Sequence, residues 1–246
     1  MPISISSAPA LALSLAGLLG LALLPAGAHA DGPPPAVSQA SDATQAGMVD
    51  VAAIAPGLQV DMRYAGADNF TGRPVPGYEA PTCLLLRPAA EALARVQATL
   101  RRQGLGLRVY DCYRPVRAVQ AFVAWASDLQ DQATKPAHYP RVDKSALIPG
   151  YIADRSGHSR GATVDLTLVD CRKQPCRPLD MGTGFDLFDP LANTDSPAAS
   201  AAQHANRQRL LAAMAAQGFA NYPMEWWHFT FRPEPTPDTA YDFPVR

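Results

Sequence analysis

Apolar residues in this chain recur with two different periods, and the switches between them mark out the elements. The stretch "RPAAEALARVQATLRRQG" puts Leu93, Val96 and Leu100 at helical spacing, with Pro88 fit for a first helical turn and Gly104 for a stop, and so predicts a helix. The residues "LRVYD" then alternate Leu107, Val109 and Asp111, which predicts a strand. After Arg114-Pro115 a second helical pattern runs from Val116 to about Gln130, with Val119, Phe122, Val123 and Ala126 on one side. Residues 134–161 follow, full of Pro and Gly and without a period, the kind of long loop that compact domains keep for function. "ATVDLTLVD" alternates Val164, Leu166 and Leu168 with Thr163, Asp165 and Thr167, predicting a half-buried strand with Asp165 on its polar side. An Ala-rich helical pattern over 200–217 stops at Gly218, and "WHFTF" reads as a last strand. Helices and strands come in blocks without a β-α-β rhythm. The prediction is a single compact α+β domain with a central, mostly antiparallel sheet and flanking helices.

The two ends break the pattern. The first 30 residues carry no Asp, Glu, Lys or Arg, and hold the run "LALSLAGLLGLALL" followed by Ala28-His29-Ala30 ahead of Asp31. An apolar core and an A-x-A site predict a secretory signal peptide over 1–30, although the n-region lacks Lys and Arg. The run is short for a bilayer span and is broken by Ser14, Gly17 and Gly20, so no stable membrane insertion is expected after cleavage. Residues 31–47 are rich in Pro, Ala, Ser and Gly and predict a flexible leader, with the folded domain occupying 48–246. The tail from Pro233 is Pro-rich and is expected to pack loosely.

Composition narrows the function classes. At 48% hydrophobic residues the chain can build a substantial core, and a net charge of −1 with no run of Lys and Arg offers no electrostatic footprint for nucleic acid. Export to an oxidising compartment, the periplasm, would turn the four cysteines into disulfides. The expected pairs are Cys171 with Cys176, closing a small loop, and Cys83 with Cys112; no C-x-x-C spacing supports a zinc knot.

Of five histidines, two sit where ligands would. His158 lies in "SGHSRGATVD" between Gly157 and Gly161, seven residues before Asp165; His228 lies in the last predicted strand. Two imidazoles and a carboxylate form a three-ligand set for catalytic zinc, one ion per chain, with a fourth position open to water. Singly each residue has an ordinary structural role; together, beside a glycine-rich loop, they point to a metal site. Glu225 stands three residues before His228 in "EWWHF", and on a regular strand that offset points to opposite faces. A break before Trp226, or a bulge, would let Glu225 act as general base beside the metal, with the tryptophans walling the site. Arg114, between a predicted strand and helix, suits either an oxyanion or substrate carboxylate, or an ion pair with Asp111.

These residues carry a resemblance. "SGHSRGATVDLTL" and "EWWHF" resemble the S-x-H-x-x-G-x-x-x-D and E-x-x-H blocks of the D-alanyl-D-alanine dipeptidases, and "DMRYAGADNFTGRPVPGY", "CLLLRPAAEAL", "YDCYRP" and "MGTGFD" resemble further blocks in the same order, from about residue 50 to 232. The resemblance implies a compact α+β fold with a central antiparallel sheet and a small dipeptide substrate. By position it implies zinc ligands at His158, Asp165 and His228, a base at Glu225 and an oxyanion-stabilising Arg114. It also implies a substrate-contacting Ser156, an Asp186 that receives the substrate amine, and a pocket tyrosine at Tyr64. Cys171 and Cys176 depart from the family pattern, on the path to Asp186. Two other readings stay open: a D,D-carboxypeptidase or endopeptidase of peptidoglycan stems, which would not need Asp186, and a non-catalytic wall-binding module, which would not need Glu225. Oligomeric state has no sequence signal.

Overall fold

The computed structural model describes Met1 and residues 34–246. The signal peptide expected over 1–30 lies, Met1 apart, outside the described residues, and among those residues no helix is long and apolar enough to cross a membrane. In chain order the strands are β1 Ala36–Val37, β2 Met48–Asp50, β3 Gln59–Val60, β4 Leu84–Leu86, β5 Leu105–Asp111, β6 Thr163–Asp170, β7 Arg177–Pro178, β8 Phe219–Asn221, β9 His228–Phe231 and β10 Thr239–Ala240. The helices are α1 Val51–Ile54, α2 Arg87–Arg101, α3 Val116–Ser127, α4 Lys135–His138, α5 Leu147–Gly150 and α6 Ala201–Ala215.

The predicted periods become packing. In α2 the stripe Ala89, Leu93, Val96 and Leu100 is buried, Pro88 sits in the first turn, and Gly104 takes the left-handed backbone (φ 71°) that lets the chain turn into β5. Ser200 caps α6 reciprocally with Gln203, and the helix packs on β6, β8 and α2. The main sheet runs β3-β5-β6-β9-β8, with β7 on the end of β6. Only β3 and β5 pair parallel; β5–β6, β6–β7, β6–β9 and β8–β9 are antiparallel. The fold is thus the single α+β domain that the block order predicts.

β6 departs from its reading as a half-buried strand. Thr163, Asp165 and Thr167 are as buried as Val164, Leu166 and Leu168, because the strand is central and its polar side faces further protein. Thr163 is satisfied there by the Thr230 hydroxyl across β9 at 2.9 Å. The cysteines pair as 83–112 and 171–176, the first joining the start of β4 to the end of β5, the second closing the β6–β7 turn.

Both ends of the described chain differ from what composition suggests. Within the expected leader, Ala36 and Val37 pair with Thr239 and Ala240 of β10, Met48 N–H donates to Ala43 O at 2.8 Å, and Ala46 is buried. The tail beyond Pro233 buries Glu234, Tyr241, Phe243 and Val245. Glu234 accepts from Arg160 Nε at 2.5 Å, and Tyr113 Oη donates to Phe243 O at 2.9 Å. Proline removes donors without removing apolar side chains or carbonyls, so a Pro-rich strand of this kind still docks through both.

Candidate active site

Three central strands set the site by register. Asp111 at the end of β5 pairs with Asp165 on β6, and Asp165 pairs with His228 at the start of β9. Directly opposed residues on neighbouring strands share a face, so this register alone lines up two carboxylates and an imidazole. A bulge between Val109 and Asp111 re-aims the end of β5 at that point.

His158 comes in from outside the sheet. It lies in a short 3₁₀ turn, Gly157–Arg160, in which the His158 N–H donates to the Ser156 hydroxyl and which ends at Gly161 in the left-handed region (φ 72°). A Cβ at Gly161 would meet Met48 Cε at 2.4 Å, so the turn closes tightly only with glycine there. His158 Nδ1 is 2.7 Å from Cys112 O, an acceptor, so Nδ1 carries the proton and Nε2 presents its lone pair. That lone pair faces Asp165 Oδ2 at 3.2 Å and His228 Nδ1 at 3.3 Å, and His228 Nδ1 is 3.0 Å from Asp165 Oδ1.

The set fits a metal ion. Asp165 Oδ1 is buried and has no donor aligned on it, although His228 Nδ1 stands 3.0 Å away, an acceptor that a cation between the two would satisfy. Ligand bonds of about 2.0–2.2 Å in a tetrahedron separate ligand atoms by roughly 3.3–3.6 Å, and the closest approaches among the two imidazole nitrogens and the two Asp165 oxygens, 3.0–3.3 Å, lie at or just under that spacing. Burial pushes the Asp165 carboxyl up, but the two imidazoles outweigh it and hold the group below the usual carboxylate range. Burial likewise lowers His228, and Asp165 outweighs it upward, so a proton on His228 competes with a metal ion for this site.

Glu225 stands beside the His158–Asp165–His228 set and outside it. β9 begins at His228, so "EWW" lies wholly in a turn, closed by His228 N–H to Glu225 O at 3.2 Å. The break expected before Trp226 thus comes two residues later, and it brings Glu225 Oε2 to 3.5 Å from His228 Nδ1. Burial pushes the Glu225 carboxyl up to about 7, with His228 opposing. A raised carboxyl binds its proton more tightly folded than unfolded, so folded stability falls as pH rises from about 4.5 to 7. In the metal-free protein, Glu225→Gln is therefore expected to raise stability above pH 7 by up to about 3 kcal/mol, a ceiling because about a fifth of the side chain meets solvent, and to change nothing below pH 4. Denaturant melts at the two pH values check this.

Arg114 makes the ion pair with Asp111 that its position between strand and helix allows. Nε donates to Asp111 Oδ2 at 2.9 Å, while Nη2 also reaches within 3.7 Å of Asp165 Oδ2 and Nη1 lies 3.4 Å from Ser156 Oγ. Burial opposes its charge, and the Asp111 carboxylate outweighs that and raises its pKa. The guanidinium packs 5.2 Å over the Tyr64 ring. Tyr64 in turn donates its hydroxyl to Asp186 Oδ2 at 2.7 Å. Asp186 is buried with φ 58°, a left-handed backbone unusual for a residue with a side chain. Burial raises its carboxyl well above the usual range, Tyr64 partly offsets this, and Asp165 and Glu225 push it further. The structure so brings every site residue named from sequence into one connected region, with the tryptophans behind it: Trp226 donates to Thr183 Oγ1 at 2.7 Å and Trp227 packs edge-on to Phe185. Sequence reasoning missed Tyr78, whose hydroxyl donates to Asp111 Oδ1 at 2.7 Å, and the Cys112 carbonyl; neither has a local signal, since both act across the fold.

A buried His-Asp-His convergence flanked by a high-pKa carboxylate and a guanidinium is the equipment of a metal-dependent hydrolase. Residues 44–246 match the peptidase M15 family model, described as D-ala-D-ala dipeptidase, and the chain belongs to this metallopeptidase family. It is 45% identical over 190 residues to a D-alanyl-D-alanine dipeptidase of Streptomyces coelicolor, covering 77% of this chain and 93% of that one. Two further relatives bear the same name: one from Enterococcus faecium, 40% identical over 194 residues (78% and 95% of the two chains), and one from Escherichia coli, 36% identical over 192 residues (77% and 86%).

Proposed function

We propose that the protein is an exported, zinc-dependent dipeptidase that hydrolyses D-alanyl-D-alanine and similar D-amino-acid dipeptides. The observation that carries this is the convergence of His158 Nε2, Asp165 and His228 Nδ1 beside Glu225, with the buried Asp186 held by Tyr64 in the same region. The three ligand residues would hold one zinc ion, which when bound polarises the scissile carbonyl and lowers the pKa of a water.

The chain's own residues do the rest. Glu225 accepts the attacking water's proton at its carboxylate and returns a proton to the leaving amine. Arg114, locked by Asp111, donates to the developing oxyanion. Ser156, capping the His158 turn, contacts the substrate from the same edge. Asp186 accepts a hydrogen bond from the substrate's ammonium group; burial favours its protonated form in the empty site, and the arriving cation favours its ionisation. A substrate with a blocked amine brings no cation to offset the cost of ionising that buried carboxyl, which then keeps only its Tyr64 hydrogen bond, so the site selects free dipeptides over longer stems.

The deciding experiment compares free D-Ala-D-Ala with its N-acetyl form and measures bound metal. The expected result is one zinc per chain, cleavage of the free dipeptide only, and a loss of about 10- to 100-fold in kcat/KM for Asp186→Asn, mostly in KM. Preferential cleavage of the acetylated peptide would point instead to a stem-cleaving enzyme, and no cleavage of either to a binding module. Export is tested by the N-terminus of the periplasmic protein, expected at Asp31 after loss of residues 1–30.

A further inference from the structure

We propose that Asn221, keyed by Thr194, is the positioning residue that fixes Glu225 and His228 to each other, so that base and metal ligand are set by one side chain outside the site. The inference rests on the proposed roles of those two residues. It concerns the three-residue offset that a regular strand cannot give them.

Asn221 ends β8, and the turn it opens carries Tyr222 to Trp227 before β9 resumes at His228. Its Nδ2 donates to Glu225 O at 3.0 Å and to His228 O at 3.0 Å, so one amide group bridges the carbonyls of both residues. Its Oδ1 accepts from Thr194 Oγ1 at 2.6 Å, and Thr194 is buried. The amide orientation follows from this: two carbonyls require the NH₂ end, and the hydroxyl satisfies the oxygen. The segment before Thr194 grips the same turn through its backbone, with Thr194 N–H to Pro223 O at 2.9 Å and Trp226 N–H to Ala192 O at 3.0 Å. Both hydrogens and the oxygen of the Asn221 amide are thus spent on holding the turn, and none reaches the reacting groups.

Asparagine is the residue that can do this. An aspartate of the same shape has no hydrogens for the two carbonyls and would set oxygen against oxygen at both. A glutamine would place its amide one bond further out. Thr194→Ser keeps the keying hydroxyl, and Thr194→Val keeps the shape without it.

The test is Asn221→Asp and Thr194→Val, with Thr194→Ser as the conservative control, in the full-length mature protein. Zinc affinity is read by chelator competition, and kcat and KM are read at saturating zinc. Outer-shell partners of a metal site typically contribute about 10- to 100-fold in affinity or activity. The expectation for Asn221→Asp is a loss of that order in zinc affinity and, with zinc saturating, a further fall in kcat with KM for D-Ala-D-Ala within about threefold. Thr194→Val should move both in the same direction by less, and Thr194→Ser should restore them. A merely structural role would lower the melting temperature while folded, zinc-loaded enzyme keeps its kcat and its zinc affinity, and that outcome overturns the proposal. Glu225→Gln run alongside separates the two readings: if it is inactive while Asn221→Asp is not, the clamp alone fails; if it is fully active, the base assignment itself is wrong.

Discussion

On the proposed function, Glu225→Gln is expected to keep zinc and to lose about 10³- to 10⁴-fold in kcat, the upper part of what general acid–base catalysis contributes, because there one group serves two proton transfers. The geometry supports a clean separation of base from ligand. The carboxylate approaches His228 Nδ1 to 3.5 Å, too far for a hydrogen bond, and it is not among the three residues whose ligand atoms converge. The amide is isosteric, and the backbone that places it is held by Tyr222 O, by His228 N–H and by Asn221, none of which the substitution touches. KM should change little, since the ground-state substrate is held by Asp186 and Ser156 in this reading. Metal analysis with steady-state kinetics checks the result. Full zinc with wild-type kcat would remove Glu225 from the chemistry, and loss of zinc with loss of activity would make it a ligand.

Much of the site is legible in the sequence because its parts announce themselves locally. Gly157 and Gly161 around His158 predict an irregular backbone, and the structure uses it for a 3₁₀ turn with a left-handed exit. The alternation around Asp165 predicts a strand with that residue opposite the apolar side. What the sequence does not carry is register. Nothing in "ATVDLTLVD" or "WHFTF" says that Asp165 lies across from His228, nor that a bulge in β5 brings Asp111 level with both. Those are long-range pairings, fixed by which strands the whole core makes neighbours.

The misread segments share a physical cause. The 34–47 stretch and the tail beyond Pro233 lack a period, and a missing period predicts missing packing. Each instead lends β1 or β10 to a two-stranded pair with the other, and the tail feeds isolated anchors such as Phe243 and Val245 into the core. Tyr241 N–H donates to Ser159 O and Val116 N–H to Tyr241 O, so this tail spans the His158 turn and the start of the helix after Arg114. Periodicity finds elements that bury a face; it is blind to segments that dock one residue at a time.

On the proposed function, His158→Ala is expected to abolish hydrolysis and to weaken zinc binding by more than the roughly 100-fold that loss of an outer-shell partner costs, because it removes a proposed ligand and its orienting bond together. Nε2 is the atom that closes the triangle with Asp165 Oδ2 and His228 Nδ1, at 3.2 and 3.3 Å. Without it, Asp165 and His228 face each other at 3.0 Å with two ligand atoms, fewer than the three protein ligands a catalytic zinc site uses. The same change strips the donor from Cys112 O, whose position the 83–112 disulfide and β5 hold. The fold should survive, since the turn is capped by Ser156 and closed at Gly161 through backbone groups that alanine keeps. Far-ultraviolet circular dichroism and chelator competition measured on one preparation decide it. A folded His158→Ala protein that binds zinc as tightly as the wild type would mean that the ion sits elsewhere, and the three converging atoms would then be an ordinary buried charge cluster.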